Sequence, residues 1–363
     1  MRTDPDRSGN DNTQRDRNHM SELRYDPIQG RWVIIATNRS RRPHDLISFA
    51  EPEKTATFCP FCPDNEHRTP AEVVATGRAP AADPNSSGWR IRVVPNRYPA
   101  LTVEGDLDAQ GVGLFDRMRG VGAHEVVIES PLHDLDLATM PEEHLAELLT
   151  IWQDRVRDLF RDRRLRYVLV FKNHGVAAGA TLAHPHSQVI ATPIVPGAVA
   201  REFTLAREHY AIKQRCLFCD VVREELERQD RVVRVDDQFV TIAPYASRFP
   251  FELMILPRQH QHDVLSADRS LLQGLARSLQ DVCGRLKHVL EDPPFNLVLH
   301  TAPNPHAFRT FSEEWPTLAD DFHWHLEIHP RLTRVAGFET GADFYINPTA
   351  PEAAASFLRE VAS

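Results

Sequence analysis

The sequence lacks the features of membrane, secreted and nucleic-acid-binding proteins. No apolar run approaches the roughly 20 residues that a membrane-spanning helix needs, and the polar segment 1–20 has no hydrophobic core of the kind found in secretory signals. The net charge of −9 argues against the broad basic surface typical of nucleic-acid-binding proteins. We therefore expect a cytoplasmic protein with no membrane or nucleic-acid partner. Residues 1–20 are predicted to form a disordered tail, with Met20 as an alternative start.

Cysteine is scarce, and its placement indicates metal sites. Among 363 residues there are five cysteines, and four of them form two C-x-x-C pairs, Cys59/Cys62 and Cys216/Cys219. In the cytosol such pairs are typical of metal or redox sites rather than disulfides. A thioredoxin-like redox role would need a βαβ context, which the surrounding sequence does not have. Cys283 lies in a helical apolar pattern and is predicted to be a core residue.

The chain repeats one series of features. In each half a C-x-x-C motif precedes a strand and a histidine, an amphipathic helix, a short apolar strand, and a loop that leads to an H-x-H motif and another strand. The helical patterns lie within residues 141–160 and 268–290. This order predicts a tandem duplication of one α+β unit, with residues 21–195 as the first unit and 196–363 as the second.

The histidines complete two sets of zinc ligands. Structural zinc takes four N or S ligands, so each cysteine pair needs two more. We predict a first site of Cys59, Cys62, His133 and His184, and a second site of Cys216, Cys219, His260 and His323. An oxygen- and nitrogen-rich set, suited to iron or zinc, is the alternative for the second site: Glu202, His300, His323 and His325. His323 cannot easily serve both, and we favour the cysteine set and about two zinc ions per chain.

The H-P-H-S-Q motif has the residues that nucleotidyl transfer needs. In an extended segment His184, His186 and Gln188 share one face. With His184 on the metal, His186 can attack phosphorus as a neutral imidazole and carry a nucleotide as a phosphoramidate. Gln188 can donate a hydrogen bond to a phosphoryl oxygen. The glycine-rich loop 173–180 can bring backbone amides close to phosphates, and further substrate donors are predicted at Gly179, Thr181 and Ser187.

The segment FKNHGVAAGATLAHPHSQVIATPIVP resembles the nucleophile segment of the galactose-1-phosphate uridylyltransferases, a tandem-repeat branch of the histidine-triad superfamily. The motifs CPFC, SPLH, FPFELMILP and HWHLEIHPRL extend the resemblance from about Tyr25 to the C-terminus. It implies an α+β fold of two tandem histidine-triad-like units, with antiparallel sheets flanked by helices. It also implies a homodimer with composite active sites.

The resemblance implies a double displacement. His186 would attack the α-phosphorus of UDP-glucose, with His184 orienting it through its backbone carbonyl, and a second hexose 1-phosphate would take the uridylyl group. The substrate contacts that the resemblance assigns are Arg39 and Arg42 across the dimer interface, Asn96 at the nucleotide, Asn173 and Gln188 at the phosphates, and Glu339 at the hexose.

Three positions depart from the best-known members of that family. Ser187 and Arg97 stand where those members have glycine and aspartate, and Phe338 replaces a tyrosine. The first two look similar to a subgroup that includes ADP-glucose phosphorylase-like proteins. The leading hypothesis is a UDP-glucose:hexose-1-phosphate uridylyltransferase of galactose metabolism. The alternatives are an adenylyl-transferring relative with phosphate as acceptor and a non-catalytic zinc-stapled binding module, against which the H-P-H-S-Q motif speaks.

Overall fold

The apolar strand segments of both halves form one ten-stranded sheet in the computed structural model, which describes residues 21–36 and 58–361. Residues 1–20, the predicted tail, lie outside the described part. The strands in chain order are β1 (Glu22–Asp26), β2 (Arg31–Ile35), β3 (Val74–Ala75), β4 (Arg92–Pro95), β5 (Gln110–Val112), β6 (Phe115–Arg117), β7 (Ala123–Ile128), β8 (Tyr167–His174), β9 (His186–Thr192), β10 (Val232–Val235), β11 (Phe239–Ile242), β12 (Leu253–Pro257), β13 (Phe295–His300), β14 (His325–Pro330) and β15 (Tyr345–Asn347).

The strand order shows how the two halves are joined. From one edge of the large sheet to the other it is β10-β11-β12-β14-β13-β8-β9-β7-β4-β3, and all these pairs are antiparallel. Strands β8, β9, β7, β4 and β3 correspond in position to β13, β14, β12, β11 and β10. At the centre β8 pairs with β13, where Phe171 lies opposite Val298. The predicted α+β class with antiparallel strands flanked by helices is confirmed, and the strands of the two halves are continuous in one sheet.

Two long amphipathic helices pack together against this sheet. The helices are α1 (Glu142–Leu159), α2 (Gly197–Lys213), α3 (Leu217–Arg228), α4 (Arg269–Leu290), α5 (Leu318–Asp321), α6 (Gly337–Ala342) and α7 (Pro351–Glu360). Helices α1 and α4 contact each other and share one core with the sheet. Their buried residues recur three and four positions apart, as Leu145, Leu148 and Trp152 do in α1. Asp268 caps α4 by accepting a hydrogen bond from the Leu271 N–H at 2.8 Å.

The beginning of the described chain packs with its end. Strands β1 and β2 form a three-stranded sheet with β15, in which β2 and β15 are parallel. Residues near the start of the predicted first unit therefore pair with a strand of the second. Within residues 21–36 and 58–361, the structure contains no helix that is both long enough and apolar enough to cross a bilayer.

Candidate active site

The first cysteine pair and its predicted histidines come together beside β9. The Sγ atom of Cys59 lies 3.5 Å from Nδ1 of His184, and Sγ of Cys62 lies 3.4 Å from Nδ1 of His133. The four ligand atoms all lie within 4.8 Å of one another. A tetrahedral zinc ion with ordinary bond lengths would separate sulfur and nitrogen ligands by about 3.5 Å, so the set fits zinc. The Nε2 atom of His184 is 2.7 Å from the Ser130 carbonyl oxygen, which fixes the ring.

His186 is held by the backbone of the neighbouring ligand. Its Nδ1 atom lies 2.8 Å from the carbonyl oxygen of His184. A carbonyl only accepts, so Nδ1 carries the hydrogen and Nε2 keeps its lone pair. Burial, and then the charge of Lys172, lower the pKa of His186 and favour the neutral ring. The Lys172 ammonium donates to Glu129 at 2.7 Å and to the His186 carbonyl at 3.2 Å. The ring therefore has the protonation state of a nucleophile.

Gln188 and Asn96 both contact a histidine, His124, that no sequence pattern indicated. The Ala100 N–H lies 3.3 Å from Nδ1 of His124. Nε2 lies 2.8 Å from Oε1 of Gln188, which leaves the Gln188 NH₂ group for another acceptor. Nδ2 of Asn96 is 3.0 Å from the same ring nitrogen. Only the pairing of β7 with β9 could have pointed to His124, and that register depends on the fold.

The glycine-rich loop and His186 line one cavity. Asn173, Gly175, Thr181 and His186 border a cavity of about 500 Å³ together with three members of the first cysteine–histidine set, Cys59, His133 and His184. Gly175 and Gly179 have φ values of 78° and 90°, a region that favours glycine. A Cβ atom on Gly175 would lie 2.8 Å from Pro294, so the close approach of the loop to the second half also requires glycine there. The structure thus places Asn173 and Thr181 in the same cavity as His186.

The predicted donor role of the Ser187 side chain is wrong. Ser187 is fully buried, and its hydroxyl accepts a hydrogen bond of 2.8 Å from Nε1 of Trp152 in α1. The reason is the alternation of β9, which turns Ser187 toward the helices while His186 and Gln188 face the other side.

The other substrate contacts remain predictions. Oε2 of Glu339 accepts a hydrogen bond of 3.0 Å from the Ala336 N–H, so in this structure the carboxylate caps its own helix, α6. Arg39 and Arg42 lie outside the described residues.

The second cysteine pair also assembles with its predicted histidines. Sγ of Cys219 lies 3.5 Å from Nδ1 of His260 and 3.7 Å from Nδ1 of His323. With Cys216 the four ligand atoms lie within 4.8 Å of one another. Nε2 of His260 is 2.8 Å from the Ala319 carbonyl oxygen, the same kind of support that His184 has in the first set.

The alternative ligand set of the second half is divided by the structure. His323 precedes β14 and joins the thiols, while Glu202, His300 and His325 group with Glu327, which the sequence analysis did not name. Glu327 thus takes the place that was predicted for His323. Side chains alternate along β14, so His325 and Glu327 share a face of the strand. All four members are buried, and Nδ1 of His300 lies 2.9 Å from Glu202. Nε2 of His325 has no hydrogen-bond partner among the described residues.

Comparison with known proteins gives full-length matches. The model of the N-terminal domain of galactose-1-phosphate uridyl transferase matches residues 10–196, and that of its C-terminal domain matches residues 203–362. An ADP-glucose phosphorylase of Arabidopsis thaliana is 33% identical over 98% of this chain and 97% of its own length. A galactose-1-phosphate uridylyltransferase of Thermotoga maritima is 30% identical over 94% of this chain and 98% of its own.

The fold has a solved counterpart as well. The crystal structure of an ADP-glucose phosphorylase from Arabidopsis thaliana with bound ADP-glucose superposes with a TM-score of 0.78 at 31% identity, covering 95% of this chain and 100% of that one.

Proposed function

Because the chain belongs to the galactose-1-phosphate uridyl transferase family, we propose that it transfers a nucleotidyl group from a nucleotide sugar by double displacement through His186. The observation that carries the proposal is the 2.8 Å contact of the His186 Nδ1 atom with the His184 carbonyl oxygen, which leaves Nε2 free to attack beside Asn173 and Thr181. The first step forms a bond from Nε2 to the α-phosphorus and breaks the bond from that phosphorus to the bridging oxygen. Hexose 1-phosphate leaves with the electron pair.

In the second step an oxygen of the acceptor phosphate attacks the same phosphorus, and the N–P bond breaks. His186 takes back its lone pair and returns to the neutral form. The NH₂ groups of Gln188 and Asn173 donate to the non-bridging oxygens, whose charge grows during both steps. Asn96 contacts the nucleotide and Glu339 the hexose, while the backbone amide of Gly179 approaches the phosphates.

The leading donor and acceptor are UDP-glucose and galactose 1-phosphate. ADP-glucose with phosphate as acceptor is the second candidate, and two observations favour it. The Arabidopsis relative named ADP-glucose phosphorylase is 33% identical over nearly the whole chain. The superposed crystal structure of that enzyme carries ADP-glucose.

Zinc fits both cysteine-containing sets. We propose one ion held by Cys59, Cys62, His133 and His184 and another held by Cys216, Cys219, His260 and His323. The first would connect residues 58–62 to His184, just before β9. It would thereby hold the His184 carbonyl oxygen within hydrogen-bond distance of Nδ1 of His186. The cluster of Glu202, His300, His325 and Glu327 offers oxygen and nitrogen ligands of the kind that suit iron.

The partners proposed here are small molecules and a second copy of the chain. Arg39 and Arg42 would reach the phosphates from the neighbouring subunit, as guanidinium groups suit such contacts. The units 21–195 and 196–363 would act as catalytic and supporting halves, in a protein of the cytoplasm.

Labelling of His186 tests the proposal and separates the two donors. The protein is incubated separately with UDP-glucose and ADP-glucose, each labelled with ³²P at the α-phosphate, and acid-labile, base-stable label on the chain is measured. The proper donor should label the wild type and leave H186N unlabelled. Chasing with galactose 1-phosphate or with phosphate then identifies the acceptor. If neither donor labels the wild type, the proposed double displacement is wrong.

A further inference from the structure

One asparagine of the second half connects three separate segments at the edge of the active site. Asn296 lies on β13 directly opposite Asn173 on β8. Its Nδ2 atom donates to Oδ1 of Asn173 at 2.8 Å and to the carbonyl oxygen of Ala178 at 2.8 Å. Its Oδ1 atom accepts a hydrogen bond from Nε of Arg331. Both N–H groups of the Asn296 amide are thus used.

The chemistry of these partners fixes how both amides are turned. The Ala178 carbonyl can only accept and the Arg331 guanidinium can only donate, so the Asn296 amide has a single orientation. Asn296 therefore donates an N–H to Asn173, and Asn173 must accept this hydrogen bond through its Oδ1 atom. The NH₂ group of Asn173 consequently points away from β13. A Cβ atom on Gly179 would lie 3.8 Å from it, which places this group against the glycine-rich loop.

Arg331 is well placed to hold the far end of this chain of hydrogen bonds. Its guanidinium carbon lies 4.6 Å from the centre of the Phe249 ring, a stacking geometry that restricts its motion. Among the residues that the structure describes, Arg331 takes part in no ion pair, and its side chain donates to Oδ1 of Asn296. Asn296 is thus its side-chain hydrogen-bond acceptor among the described residues.

We propose that Asn296 and Arg331 of the second unit are positioning residues that turn the NH₂ group of Asn173 toward the phosphate beside His186. We call the hydrogen-bonded series Arg331–Asn296–Asn173 the relay. The role of the phosphate rests on the proposed function, whereas the relay itself does not. Without the relay the Asn173 amide could turn over and bring its oxygen toward the anionic phosphate, which repels it. The second half of the chain would in this way control the electrostatics of the first half's active site.

Asn296→Asp tests the relay because it replaces the NH₂ group that donates to Asn173 with an oxygen that can only accept. The new carboxylate still accepts from Arg331 but cannot donate, so Asn173 should turn its NH₂ group toward it. Losing a donor to the reacting phosphate lowers the rate of reaction roughly 10²-fold. We expect the rate constant for labelling of His186 at saturating donor to fall about 10- to 100-fold. The donor concentration that gives half of this rate should change less. Arg331→Met, which keeps the contact with Phe249, should cause a smaller loss in the same direction.

A double-mutant cycle separates positioning from general destabilisation. In an Asn173→Ala background, N296D should cause no further loss of labelling, since there is no amide left to orient. The matched control is Asn304→Asp. Asn304 is buried and donates to the carbonyl oxygens of Phe160 and Leu165 at the other end of β8. This variant should lose stability yet keep labelling within about twofold of the wild type. Equal losses for N296D in the presence and absence of Asn173 would overturn the proposal.

A readout without turnover keeps the relay distinct from the proposed function. The side-chain ¹⁵N–¹H signals of Asn173 can be assigned by their loss in N173A. They should shift in N296D and R331M but not in N304D. If they shift while the wild type labels with neither donor, the relay stands and the proposed function fails. If they stay in place in both relay variants, the relay is absent.

Discussion

Nδ1 of His325 lies 3.0 Å from the carbonyl oxygen of His323, the same contact that His186 makes with His184 at 2.8 Å. The two units therefore retain one backbone geometry around the second histidine of the H-x-H motif. Their surroundings differ. The His186 ring borders a cavity, whereas the His325 ring is fully buried beside Glu202 and Glu327. The duplicated geometry supports a nucleophile in the first unit alone.

This difference predicts which histidine carries the nucleotide. H186N should lower kcat on the order of 10⁴-fold or more, because the attacking lone pair is lost. The equivalent substitution in the second unit, H325N, should still form labelled His186. Peptide mapping of the ³²P-labelled chain provides the measurement. Label recovered from the peptide around His325 would contradict this assignment.

The sequence was sufficient to predict which cysteines and histidines cluster, because they recur in order in both halves. It also placed His186 and Gln188 on one face through strand alternation, and the same alternation should have excluded the Ser187 side chain. The contacts of His124, Asn296 and Glu327 could not be read from it, since they arise from the pairing of strands far apart in the chain. The central pairing of β8 with β13 is of this kind, because nothing local to either strand specifies its partner.

Metal content should follow the two cysteine pairs. Wild-type protein should hold about two zinc ions per chain, and C59A and C216A should each lose one. C59A should also unfold at lower temperature, because the metal ties residues 58–62 to β9. Elemental analysis of purified protein gives the count, and C283A is the control, as Cys283 is buried in the apolar core and belongs to neither set. A C59A protein with undiminished zinc would rule out the first ligand set.

A half-buried glutamate just before β3 makes stability depend on pH. Glu72 accepts hydrogen bonds from Arg78, Arg92 and the Asn85 N–H. Burial opposes its ionisation, but these hydrogen bonds outweigh burial and lower the pKa from 4.5 to about 2. A depressed pKa in the folded state means stabilisation that is complete above pH 4.5 and is lost as the pH falls toward 2.

Glu72→Gln should therefore lower the free energy of unfolding by about 2–3 kcal/mol at pH 7. The difference from the wild type should shrink between pH 4.5 and 2, as followed by urea unfolding. Glu224→Gln, which changes an exposed ion pair with Arg228, should cost less than about 0.5 kcal/mol. A deficit for E72Q that does not change with pH would show that shape, rather than charge, accounts for the loss.

Composite active sites predict complementation between two inactive chains. Arg42 lies outside the described residues, and its proposed place is at the phosphates of the partner subunit. H186N and R42A homodimers should both be inactive in this arrangement. A purified heterodimer of one H186N chain and one R42A chain has one site in which His186 and Arg42 are both intact, and it should reach about half of the wild-type rate. A heterodimer of H186N with the wild-type chain sets the scale, since it also has one complete site. If the H186N/R42A heterodimer stays as inactive as its parents while this reference reaches half, each chain supplies its own arginine and the sites are not shared.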